Sequence, residues 1–281
     1  MLHNKAKQTL RRPPVFTKET LLSQLKAMNA PRDSVVLVHS SLKAIGETEG
    51  RGQGVLDALI EYFTADGGLL CIPTHTWAFL DNLDEPTLDV NSDKVCIGTL
   101  PKIAAADPRA HRSLHPTHSM AVFGDHDVAE AFIAGELDAE TSTDPRSCYG
   151  KLIHRRGYVL LLGVIHNRNT TLHCVEEMMH VPNRLSSNWL ATKIRLKSGE
   201  IIERPIHCHS AAGIRDVSAN YPKYEPAFRH HGAIIDGTFG NAKAQLCSTP
   251  KMAWTMRLVR QRSGGAELMA DDAPLAKELY W

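Results

Sequence analysis

Short runs of consecutive apolar residues alternate along this chain with stretches of helical period. Thr17–Met28 places Leu21, Leu22, Leu25 and Met28 on one face of a 3.6-residue repeat, with Thr17 positioned to cap its start. Asn29-Ala30-Pro31 stops that helix, because the residue before a proline is pushed out of helical geometry. Ser34–Val38 is a β-branched, apolar run and predicts a buried strand ending at His39-Ser40-Ser41. A glycine-rich turn (Gly46, Gly50, Gly52, Gly54) leads into a helix over Val55–Phe63. Gly67-Gly68 breaks it, and Leu69–Ile72 predicts a second strand ending at Pro73.

Further on, Met120–Phe123 reads as a third strand and Tyr158–Val164 as a fourth, the latter opening on five apolar residues in a row. A helix follows Asn169, capped by Thr170 or Thr171 and ended by Pro182. From Trp189 the pattern weakens into alternating polar and apolar positions, with only a helix near the C-terminus to be read there. Strand, helix and strand joined by short links predict an α/β fold: a single domain with a central, mostly buried sheet flanked by helices. That domain is expected to span 17–281, behind a flexible basic tail over 1–16 that carries Lys5, Lys7, Arg11 and Arg12.

Composition narrows the function more than the fold. Hydrophobic residues make up 43% of the 281, enough for a sizeable core. The net charge of +1 supplies no global field for nucleic acid or an anionic membrane, so neither is an expected partner. No stretch reaches the roughly 18–20 apolar residues of a bilayer span, and the N-terminus lacks the apolar run of a signal peptide. Six cysteines without a CxxC pair fit a reducing, cytoplasmic setting. Oligomeric state is open, a homodimer included.

Histidine, at 15 copies, is the outlier. In Asn169-Thr170-Thr171-Leu172-His173-Cys174-Val175-Glu176-Glu177 a helix opens after a buried strand, and His173 can meet Glu176 or Glu177 on one face. A carboxylate beside an imidazole fixes its tautomer and raises its basicity, as a general base requires. Spacing alone fits an ordinary surface pair as well. His39-Ser40-Ser41-Leu42-Lys43 offers hydroxyls and backbone donors at a strand end, suited to a pyrophosphate or a thioester carbonyl. Arg112-Ser113-Leu114-His115-Pro116-Thr117-His118-Ser119 concentrates polar chemistry at another strand edge. Pro116 argues against a helical metal site built from His111, His115 and His118, and no HExxH is present. His207-Cys208-His209 could face two imidazoles the same way, but nothing nominates further ligands, so no metal is expected.

Gln261-Arg262-Ser263-Gly264-Gly265-Ala266 fits the QxxGxA pyrophosphate loop of GNAT acetyltransferases. Such a loop must begin a helix and be followed by further strands, and fifteen residues are too few. The expected fold is therefore not a GNAT fold. Neither GxxxxGK[ST] nor GxSxG occurs.

Four ordered motifs then resemble one family. They are His39-Ser40-Ser41-Leu42-Lys43-Ala44-Ile45-Gly46, and Pro73-Thr74-His75-Thr76 with Gly98-Thr99-Leu100-Pro101; Arg112-Ser113-x-His115-Pro116 with Ser119 and Gly124; and Leu161-Leu162-Gly163-Val164 leading to Asn169-Thr170-x-x-His173-x-x-Glu176. Together they resemble the aminoglycoside 3-N-acetyltransferase (antibiotic N-acetyltransferase) family, and the likeness fades beyond Pro182. The resemblance implies acetyl-CoA as co-substrate and direct transfer of its acetyl group to an amine of an aminoglycoside. It implies His173 as general base, Glu176 orienting it and His39 completing a proton relay. Ser40, Ser41, Leu42 and Lys43 would hold coenzyme A, with Arg112 and Ser119 in the same groove. Trp77 and the acidic loop beyond it (Asp81, Asp84) would receive the cationic substrate, although that loop reads equally as a solvated surface. A biosynthetic amino sugar or another small amine is the alternative acceptor. A cofactor- or sugar-binding module without catalysis and a metal-dependent hydrolase are the competing classes.

Overall fold

The computed structural model of the chain describes residues 15–281. In chain order its elements are α1 (Lys18–Ala27), β1 (Val35–Ser40), α2 (Leu42–Ile45), α3 (Arg51–Thr64), β2 (Leu69–Pro73), β3 (Leu88–Asp89) and α4 (Thr99–Ala106). Next come β4 (His111–Arg112), β5 (Met120–Phe123), α5 (His126–Ile133), α6 (Cys148–His154), β6 (Tyr158–Leu162) and α7 (Thr171–Met178). The remainder supplies β7 (Lys193–Arg195), β8 (Ile201–Glu203), α8 (Glu225–His230), β9 (Ile234–Phe239), β10 (Ala242–Ser248) and α9 (Thr249–Arg262).

Three of the predicted strands are apolar throughout because they lie in the middle of a sheet covered on both faces. β1 pairs in parallel with β2 on one side and β6 on the other. The full order is β4-β5-β2-β1-β6-β10-β9, with the outer pairings antiparallel. Alternation along β1 sends Val35 and Leu37 into a core closed by α5, α6, α7 and α9. Val36 and Val38 go into a second core under α1, α3 and α4. A separate three-stranded sheet, β3-β7-β8, carries its own small cluster of Leu88, Val90 and Ile194.

The C-terminal third holds what the periodicity did not reveal. β9 and β10 form a hairpin across Gly240-Asn241, and β10 pairs antiparallel with β6, completing the central sheet. β9 is an edge strand with exposed Ile235 and Asp236 and an interior glycine, so its pattern never became cleanly apolar or alternating. α7 begins without a side-chain cap, since Thr170 is itself helical, and it ends at Met178, ahead of Pro182. The QxxGxA segment closes α9 instead of opening a helix, with Gly264 and Gly265 at positive φ. Of the expected tail, 1–14 lie outside the described residues, and Phe16 is already bridged to Thr48. Among the described residues no helix is long and apolar enough to cross a membrane.

β1, β2 and β6 all end on one side of the sheet, which is where open α/β sheets place their ligands. Gly163, just past β6, sits at φ +67°, and a Cβ there would lie 2.3 Å from Ala44 Cβ in α2. Gly163→Ala is expected to destabilise the protein by about 1–3 kcal/mol from backbone strain alone. Urea unfolding checks this; an unchanged midpoint would show that position 163 carries no backbone strain.

Candidate active site

A cleft of about 840 Å³ opens at the ends of those three strands. His173, in the first turn of α7, stands in its wall. Its Nδ1 lies 2.9 Å from the Tyr221 hydroxyl, and that hydroxyl donates to Glu176 Oε2 at 2.6 Å. A phenol has one proton, so a Tyr221 that donates to Glu176 must accept from His173 Nδ1–H. This assignment leaves Nε2 of His173 as the basic nitrogen. Glu176 Oε1 meets Arg184 Nε at 3.0 Å, and Arg184 is gripped in turn by both carboxylate oxygens of Glu267.

A second layer fixes the ring itself. His209 stacks on His173 with centroids 4.2 Å apart and planes 21° from parallel. Glu177 holds His209 Nε2 at 3.2 Å and accepts from Thr141 and Thr143. The imidazoles continue through His118, 5.7 Å from His209, to His75, 4.3 Å further on and hydrogen-bonded to the Tyr149 hydroxyl. Burial holds His173, His118 and His75 neutral. Burial, followed by His209, Arg184 and His75, keeps His173 well below the ordinary imidazole range. Burial, with Arg168 adding to it, takes His39 down to about 3. Burial also raises Glu176, opposed by Arg184 and Tyr221.

The structure separates the sequence-predicted residues. His39, Ser40, Trp77 and His173 line the cleft. Ser41, Leu42 and Lys43 are not in its lining: Ser41 caps α2, Leu42 packs beside the second core and Lys43 is exposed. Arg112 and Ser119 are buried away from it. Arg112 donates to Ser119 Oγ at 3.2 Å, Ser119 bonds Thr74, and burial lowers Arg112 to about 10. That trio ties strand ends together, because β4, β5 and β2 converge there. Asp81 and Asp84 are exposed and outside the lining, while Asp89 and Asp93 of the same loop pair with Arg195 and Lys102. Glu176 is linked to His173 through Tyr221 and not by the direct contact that the helix spacing predicted.

Residues 37–259 match the aminoglycoside 3-N-acetyltransferase family. The chain belongs to that family. Aminoglycoside N(3)-acetyltransferase IV of Salmonella sp is 34% identical over 169 residues, covering 59% of this chain and 61% of that relative. The chain thus aligns with under two thirds of that relative's length. The crystal structure of an aminoglycoside acetyltransferase AAC(3)-IVa variant in complex with a gentamicin superposes with a TM-score of 0.74 at 25% identity, over 94% of this chain and 98% of that one. AAC-IIIb, solved as a binary complex with CoASH, shares the fold at a TM-score of 0.71 and 19% identity, over 89% and 98%.

Within this family member, Tyr221 and Arg184 were not readable as site residues, while Glu177 was named as a partner of His173 and contacts His209 instead. His209 carried a signal, as one of two histidines in alternation; its companion His207 instead packs on Trp189 at 4.0 Å. Tyr221 carried none, since it sits in a short 3-10 segment, Val217–Tyr224, 45 residues beyond the carboxylate it bonds.

Neutral buried histidines make stability depend on pH. In the unfolded chain they take up protons as pH falls through about 6.5. Folded His115 and His166 resist to about 4, and His39 to about 3, each mainly through burial. In that window the unfolded state binds more protons, so stability is full above about pH 6.5 and is lost as pH falls toward those values. Unfolding free energy should therefore drop between about pH 7 and pH 5, above the main carboxylate range. A flat profile there would show the rings to be solvated.

Proposed function

We propose that the chain acetylates an amino group of an aminoglycoside, at the 3-N position, by direct transfer from acetyl-CoA with His173 as general base. The observation that carries this reading is the His173–Tyr221–Glu176 chain, which leaves one basic nitrogen in the wall of a cleft roomy enough for two substrates. A substrate ammonium first releases a proton to solvent and so becomes nucleophilic. The amine nitrogen then attacks the thioester carbonyl, and Nε2 of His173 takes a proton as the C–N bond forms. Collapse breaks the C–S bond, and the CoA thiolate leaves with that proton as the free thiol. Tyr221 and Glu176 stabilise the transient imidazolium through Nδ1–H. An acyl-enzyme on Cys174 is disfavoured, because that thiol is fully buried and held well above its ordinary value by burial and then Glu177. His39 and Ser40, with exposed Arg168 nearby, are the groups that coenzyme A and its phosphates would meet at one end of the cleft.

The lining also favours a second acceptor class. Arg168 and Arg215 face the cleft against one lining carboxylate, Asp216, while Arg184 is already paired with Glu176 and Glu267. This suits an amino sugar or other small amine of low positive charge better than a polycation.

Thiol release from acetyl-CoA should require an amine, and a panel of aminoglycosides with and without a free 3-amino group, beside mono-amino sugars, separates the two acceptors. His173→Ala should lower turnover by about 10²–10⁴-fold, and full activity in a folded variant would overturn the base. Tyr221→Phe should lower kcat by roughly 10²-fold with KM for acetyl-CoA little changed, as expected of a positioning residue. An unaltered kcat would remove Tyr221 from the relay.

A further inference from the structure

We propose that His111, His126 and Glu130 form a surface site for a divalent transition-metal ion, zinc being the fitting probe, apart from the acetyl-transfer cleft. His126 and Glu130 are four apart on α5 and so share a helix face. His111 reaches them from β4, the last strand of the sheet. Its Nδ1 lies 2.6 Å from Glu130 Oε1, its ring centroid is 5.1 Å from that of His126, and one ligand atom from each of the three residues falls within a 4.8 Å span. Two imidazoles and one carboxylate select zinc, copper or nickel over magnesium or calcium. Bound donors stand roughly 3.3 Å apart around a tetrahedral zinc, and exposed His126 and Glu130 are free to close that distance. Water completes the shell on the solvent side.

Among the described residues no other group of three such ligands converges in this way. The more numerous histidines lining the cleft form no such group of three with one another or with a carboxylate. The ion ties edge strand β4 to α5. It thereby braces the segment that runs from Arg112 to His118 and on into the cleft wall.

The test uses the full chain stripped by chelator and titrated with ZnCl₂, followed by the apparent Tm and, with CoCl₂, by visible d–d absorption. One ion per chain is expected, with a rise of roughly 5 °C at a hundredfold excess over Kd and none with MgCl₂. His126→Ala and Glu130→Gln, both on the surface, should fold normally and lose the shift and the cobalt spectrum. Absence of a shift in the unsubstituted chain overturns the site. An equal shift in both variants overturns it too, by placing the ion elsewhere.

Discussion

Glu176 is a carboxylate that the fold buries and therefore has to satisfy. A buried charge is tolerated only when it is paired and hydrogen-bonded, and removing one partner from such a pair typically costs about 3–5 kcal/mol. Arg184 and Tyr221 supply the partners, and Glu267 neutralises the far side of Arg184. Four stretches of chain are pinned together by this requirement: α7, the turn after it, the 3-10 segment at Val217–Tyr224 and the strand-free region after α9. The same hydroxyl that satisfies Glu176 orients His173. Stability and the candidate chemistry thus draw on one set of hydrogen bonds.

The histidines show the other consequence of burial. Solvation is what keeps an imidazolium stable near neutrality, and the cleft withdraws it from several rings at once. His75, His118 and His173 each lie well below the ordinary range, with burial the leading cause and neighbouring histidines adding to it. A neutral imidazole with a defined tautomer can accept a proton without first losing one. Placing it at the carboxyl ends of β1, β2 and β6 puts it where the sheet leaves room for substrates. The arrangement costs acid stability, which is the expected companion of neutral, buried imidazoles.

Much of this architecture was legible from the residues alone. Runs such as Leu69–Ile72 and Tyr158–Leu162 could only be strands buried on both faces, and they are the centre of the sheet. The helix at Thr17–Met28 and the strand at Met120–Phe123 followed from local periodicity, which depends on near neighbours. The motif order also placed His39, Ser40 and His173 in one cleft. Arg112 and Ser119 lie outside the cleft lining, and a polar loop beside a strand reads the same whether it faces a ligand or ties strands together. Asp81 and Asp84 are exposed outside the lining, which charge density along the sequence does not reveal.

The sequence by itself determined the helix and strand periods of the first two thirds and the family, and it nominated His173 as the candidate base, since each rests on residues close together in the chain. Only the tertiary structure decided what that base touches. Tyr221 reaches Glu176 across 45 residues, His209 reaches Glu177 across 32, and β10 returns to pair with β6 after some eighty residues. Contacts of that separation are set by how the two cores close on the sheet, and no local pattern encodes them. His173 meets its carboxylate through a phenol for that reason: the i, i+3 spacing brings the two side chains near each other, but packing chose what stands between them.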